Sequence, residues 1–126
     1  MLMRVFKTRH FCKWADKEGL NNRMLLLAIQ EIESGLIDAD LGGNVYKKRV
    51  ATNNRGKSSG SRTLLAYKSD NTAFFVYGFT KNTRANVTQT ELKALKALAK
   101  ELLSYSNKEL VNAITYGEII EVIQND

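Results

Sequence analysis

The chain has 126 residues, 44% of them apolar, and 19 Lys and Arg against 13 Asp and Glu, for a formal net charge of +6. That length and apolar content fit one globular domain able to bury a core without staples, and leave little room for a second. A single cysteine, Cys12, excludes an intramolecular disulfide and lacks metal-ligand spacing, so a reducing, cytoplasmic setting is expected. No apolar run nears the roughly 20 residues of a membrane span. Met1 to Phe6 lacks the apolar core of a secretory signal, and the absence of proline argues against polyproline linkers or a Pro-rich tail.

In chain order, the alternation from Met3 to Lys7 predicts a strand, and the stripe Phe11, Trp14, Ala15 predicts a helix from about Thr8 to Lys17, ended by Gly19. Met24, Leu25, Leu27, Ala28 and Ile32 have helical spacing, with Asn21 or Asn22 as cap and Gly35 as terminator, so a second helix is expected from Asn21 to Ser34. Asp38 to Asn44 reads as a turn-rich connection. Three β-type runs follow, Val45 to Ala51, Ser61 to Lys68 and Thr72 to Thr80, the last two joined tightly enough for an antiparallel hairpin. Thr88-Gln89-Thr90-Glu91 has capping-box spacing ahead of Leu92, Leu95, Leu98, Ala99 and Leu102, and Ser106 to Glu109 repeats the device before a short helix closed by Gly117. The tail from Glu118 to Asp126 fits either a strand or a helical turn. The order β-α-α-β-β-β-α with a C-terminal extension predicts an α+β domain: an antiparallel sheet packed against two N-terminal helices, with C-terminal helices added. Residues 1–104 form the expected body and residues 105–126 a helical extension that covers apolar surface with Leu110, Val111 and Ile114.

The positive charge is localised. From Lys47 to Arg84 there are nine Lys or Arg and one acid, Asp70, a balance of +8, whereas the rest of the chain has ten basic and twelve acidic side chains. The run Thr52 to Gly60, with Arg55 and Lys57 among glycine and polar residues, joins two of the expected strands and is flanked by Lys47, Lys48, Arg49 and Arg62. A cationic concentration of this kind suits a polyanion, because Lys and Arg neutralise phosphates and release condensed counterions. Single Lys and Arg residues on small proteins are commonly just solvated surface charge; the grouping is what argues for an anionic partner.

The element order, with Tyr46-Lys47-Lys48-Arg49-Val50, Ser59-Gly60-Ser61-Arg62 and Val76-Tyr77-Gly78-Phe79-Thr80-Lys81-Asn82-Thr83-Arg84, resembles the RelE/HigB family of bacterial toxins from about Met3 to Leu103. It extends best to the subgroup whose last strand runs into Gly-Phe-x-Lys, here Gly78 to Lys81, and on to Asn86. The resemblance implies a RelE-like fold and a type II toxin: a small endoribonuclease that cuts messenger RNA, usually in the decoding site of the ribosome, and is held inactive by a cognate antitoxin. That antitoxin would be of the helix-turn-helix type, with acidic segments over the basic cleft, and DNA would be contacted chiefly through it. Lys47 and Arg49 match the family's paired basic residues, Arg62 its arginine on the next strand and Lys81 its lysine at the end of the last one. Better-known members have an Arg directly after that lysine and a Tyr six residues further on, where this chain has Asn82 and Thr88. Arg84 and Tyr77 are the candidates to take over their work.

Cutting RNA without a metal or other cofactor requires removal of a 2′-hydroxyl proton, stabilisation of extra negative charge on phosphorus and protonation of the leaving 5′-oxygen. Arg62 and Arg84 are expected as charge stabilisers through their planar forks, and Lys47 and Lys81 as phosphate ligands or proton carriers beside Arg49. Lys48, Arg55, Lys57 and Tyr77 are candidate RNA contacts. Lys48 falls on the same strand face as Tyr46 and Val50, where an apolar residue belongs, and is expected to snorkel at the sheet edge. Strict alternation puts Tyr77 on the face of Phe75 and Phe79, and Phe11 and Trp14 read as core. His10 is the only histidine and is expected to be partly buried; Glu31, Glu33, Asp38 and Asp40 read as solvating a helix end and a loop rather than as metal ligands. Gly56-Lys57-Ser58 matches the end of a P-loop, but Ala51 stands where the motif needs Gly and a strand follows, so that match is accidental. The alternative to a nuclease is a binding module on the same scaffold, one that poisons DNA gyrase or engages nucleic acid without cutting.

Overall fold

A computed structural model describes residues 3–50, 60–68 and 72–124. The elements are β1 (Arg4–Thr8), α1 (Arg9–Glu18), α2 (Asn22–Glu33), β2 (Ala39–Asp40), β3 (Val45–Val50), β4 (Ser61–Tyr67), β5 (Thr72–Thr80), α3 (Gln89–Leu103), α4 (Asn107–Thr115) and β6 (Ile119–Glu121). Local chemistry accounts for the helix ends. The Thr8 hydroxyl and the Asn21 amide oxygen accept from the Phe11 and Met24 backbone N–H groups, and Gly19, at φ +76°, closes α1. Both capping boxes are formed: Thr88 and Glu91 exchange bonds at the start of α3, as do Ser106 and Glu109 at the start of α4.

One six-stranded sheet, in the order β2-β3-β4-β5-β1-β6, carries helices on both faces. β3, β4 and β5 form the expected antiparallel meander. β1, however, lies parallel to β5 in the interior of the sheet, and the tail supplies β6, antiparallel to β1. The extension expected to be helical is therefore helical only in α4. Ile119–Glu121 is a strand because β1 would otherwise leave a row of unpaired backbone groups at an open edge. A short strand, β2, also arises in the expected turn, pairing with β3.

Alternate residues of the strands fill two cores. Val5, Leu65, Ala73 and Phe75 pack with Phe11, Leu25, Ile29 and Ile32 of α1 and α2. Phe6, Val45, Leu64, Phe74 and Val76 pack on the other face with Ala99, Leu102, Leu110 and Ala113 of α3 and α4. Burial on both faces is what lets a parallel pair sit in the middle of the sheet. Gly78 permits the closest approach on the α1 face, since a Cβ there would overlap the Trp14 ring.

One irregularity changes which side chains meet. Leu64 is opposite Tyr77 but Leu65 is opposite Phe75, so β5 bulges at Val76. Past the bulge the alternation is reset. Phe75 faces α1, while Val76 and Tyr77 both face the α3 side.

Candidate functional site

β3 and β4 run side by side with Lys47 opposite Leu64 and Arg49 opposite Arg62. Because cross-strand partners share a face and Leu64 belongs to the α3-side core, Lys47, Arg49 and Arg62 all stand on the α3 side. They line a cleft of about 270 Å³ together with Asp38 and with Ala85 from the segment that follows β5. Two arginines directly opposite each other on a ladder repel, a local cost that makes sense where an anion is to be received.

From the sequence Asp38 reads as a solvated loop acid; in the fold it organises the cleft. Its carboxylate accepts from the Arg49 backbone N–H (Oδ2, 2.6 Å) and from Arg49 Nε (Oδ1, 2.9 Å). Desolvation pushes this carboxyl up, but the two Arg49 hydrogen bonds and the charges of Arg49 and Lys48 outweigh it and hold the group below its ordinary value, so it stays an anion. The contact uses one edge of the guanidinium, and the Arg49 side chain remains 45% exposed. Arg62 is half-buried and donates from Nη1 to the Gly60 carbonyl (2.8 Å), which directs it along the strand start. Among the described residues, one acid therefore orients one of three cations and leaves the cleft with excess positive charge.

The other expected site residues lie as follows. Lys81 is exposed in the turn after β5, one residue beyond Thr80, which pairs with Ser61 next to Arg62. Arg84 is not an open cation: its guanidinium holds the Glu91 carboxylate with two bonds (2.9 and 2.6 Å), and donates to the Tyr77 hydroxyl (3.1 Å) and the Asn86 carbonyl (2.9 Å). The Arg84 bonds, helped by the Thr88 amide, pull the Glu91 carboxyl down to about 2. Tyr77 stands on the cleft side of the sheet, half-buried, because of the bulge, and not beside Phe75 as alternation predicted. Its ring stacks on His10 at 5.8 Å between centroids. His10 itself is exposed, contrary to the expectation of partial burial. Glu91 was legible only as half of a capping box; no sequence spacing announced that the same carboxylate would bind Arg84.

Lys48 is the clearest departure. It points to the α2 face, is 3% exposed, and forms an ion pair with Glu31 (2.9 Å) in place of snorkelling at an edge. It is on the opposite side of the sheet from the cleft and takes no part in its surface. Arg55 and Lys57 lie outside the described residues. Among the described residues no group of three or more His, Cys, Asp or Glu is placed to hold a metal ion, and no helix is long and apolar enough to cross a membrane.

Chemically, the cleft offers two arginine forks and an ammonium group on one concave surface, a set of donors matched to the non-bridging oxygens of a phosphodiester. Comparison with known proteins agrees with the sequence resemblance. The family model described as RelE toxin of RelE / RelB toxin-antitoxin system matches residues 3–122, nearly the whole chain. A search of curated protein sequences finds no match.

Proposed function

The chain belongs to the RelE toxin family, the toxin half of a toxin-antitoxin pair, and from that premise we propose that it is a metal-independent messenger RNA endoribonuclease that acts on the ribosome and inhibits translation. The observation that carries this reading is the joint placement of Lys47, Arg49 and Arg62 around one cleft. In the reaction the 2′-oxygen attacks the adjacent phosphorus and gives up its proton. The P–O5′ bond breaks and the 5′-oxygen takes a proton, leaving a 2′,3′-cyclic phosphate and a free 5′-hydroxyl. Arg49 and Arg62 hold the oxygens whose charge grows in the transition state, and Lys47 with Lys81 binds phosphate or carries protons. Arg84, already neutralised by Glu91, positions the Tyr77 hydroxyl on the cleft side of the sheet. That arrangement stands in for the missing Arg and Tyr at Asn82 and Thr88.

RelE toxins pair with an antitoxin, and the partner proposed here is a helix-turn-helix protein whose acidic segment covers the cleft in the cytoplasm. Primer extension on cellular messages after brief induction tests the activity. Codon-associated cuts that vanish in Arg62→Ala support it; intact messages with stalled replication would overturn it in favour of a gyrase poison.

A further inference from the structure

A second cationic hollow lies on the same side of the sheet, at the opposite end of β3 and β4. It measures about 630 Å³ and is lined by Gly43, Asn44 and Lys68 from the sheet end and by Lys96, Lys100 and Ser104 from α3. The cleft at Arg49 has Asp38 in its wall, and the groove beside His10 and Tyr77 has Glu101 and Glu118; among the described residues this hollow is lined by no carboxylate. Lys68 and Lys100 are exposed. Lys96 is held in place: its stem lies against the turn Gly42-Gly43, where a Cβ at 43 would come within 3.1 to 3.3 Å of its Cβ, Cγ and Cδ, and a Cβ at 42 within 3.3 Å of its Nζ. Both glycines have positive φ, +85° and +60°. Backbone conformation and side-chain packing thus agree in keeping that turn bare and one ammonium pre-ordered, which lowers the entropy lost on binding.

Ammonium groups are point charges, and no guanidinium fork or aromatic ring lines the hollow that could read or stack on a base. The chemistry fits phosphate groups irrespective of sequence. From Asn44 to Arg49 the strand climbs about 17 Å at 3.3 Å per residue, a distance that a single RNA strand covers in a few nucleotides. Resting on the reading of RNA as substrate, we infer that Lys68, Lys96 and Lys100 form a second phosphate-binding site, which grips the RNA backbone a few nucleotides from the cleft and sets its direction across the sheet.

The test is binding of a fluorescein-labelled mixed-sequence single-stranded RNA 20-mer to the purified full chain across a potassium chloride series. Lys68→Gln/Lys96→Gln/Lys100→Gln should reduce the slope of log K against log salt by about 2, at about 0.7 per phosphate contact, and weaken binding on the order of a hundredfold at about 0.1 M salt. Lys68→Gln/Lys100→Gln, which leaves the packed Lys96 intact, should show about two-thirds of the slope change. A charge-matched control at the exposed Lys13, Lys17 and Lys108 should change the slope much less. If the parent binds RNA and the triple variant keeps the parent slope, or if the control falls equally, the second site is overturned while the nuclease reading stands. If the parent does not bind RNA at all, the second site falls, and the nuclease reading is decided by the primer extension alone.

Discussion

Three consecutive cations on β3 meet two different fates. Lys47 and Arg49 face the α3 side, where with Arg62 they line a cleft whose described residues include a single carboxylate, Asp38. Lys48, between them, faces α2, is 3% exposed and is matched by Glu31. Residue type and local charge density are the same, so neither decides function; the face does. A buried charge needs its own partner and has no capacity left for a ligand, whereas a partly exposed cluster whose described residues hold more cations than carboxylates retains that capacity.

Several measurements would break or sharpen this contrast. The largest expected effect is on chemistry: Arg62→Ala should lower RNA cutting about a hundredfold, on the order of 3 kcal/mol of transition-state stabilisation, with thermal unfolding little changed. Comparable loss of cutting and of stability would place Arg62 in the structural class with Lys48. Lys48→Ala should instead destabilise the fold by about 3 kcal/mol, the low end for a broken buried pair because Glu31 keeps some solvent contact. Lys48→Met combined with Glu31→Leu should recover most of that stability in urea unfolding and leave RNA cutting at the parental rate. A drop in cutting in the stable double variant would undo the assignment of the two faces.

Gly78→Ala forces a methyl group into the Trp14 ring on the α1 face and should cost about 1–3 kcal/mol through overpacking. Tyr77→Phe, on the cleft side, removes a hydroxyl that accepts from Arg84 and makes a long hydrogen bond to Glu91, and should cost only about 1 kcal/mol in stability. A cutting defect larger than that stability change would mark the hydroxyl as part of the chemistry. The smallest effect concerns pH. The Glu91 carboxyl is depressed from 4.5 to about 2 in the folded state, so its contribution is fully present above pH 4.5 and is lost as pH falls toward 2. The stability difference between the parent and Glu91→Gln should shrink across that window and vanish near pH 2; a gap constant with pH would remove the charge pairing with Arg84 as its cause.

Much of this is legible in the order of residues. Thr88 with Glu91, Ser106 with Glu109, and Gly19 announce helix ends because capping is a contact between near neighbours in sequence. The α+β class and the strands carrying Lys47, Arg49 and Arg62 follow from periodicity, and the shared face of Lys47 and Arg49 from β alternation, with Arg62 from the neighbouring strand a companion whose face the register sets. Alternation failed at Tyr77 because one extra residue at Val76 reverses every later side chain, and a bulge has no residue signature here. It succeeded in placing Lys48 on the Tyr46 and Val50 face, yet whether that face is an edge or a core depends on α2, distant in sequence.

By itself, then, the order of residues determined the helix boundaries, the class of fold, the localisation of positive charge and the shared face of Lys47 and Arg49, since all of these rest on interactions within a few residues or on a fixed repeat; that Arg62 joins them depends on the register of β3 against β4. Only the tertiary structure decided that β1 lies parallel to β5, that the tail closes the sheet, that Asp38 orients Arg49, and that Glu91 captures Arg84. Those outcomes depend on which distant backbone groups and charges must satisfy one another once water is excluded, and no local pattern specifies that pairing.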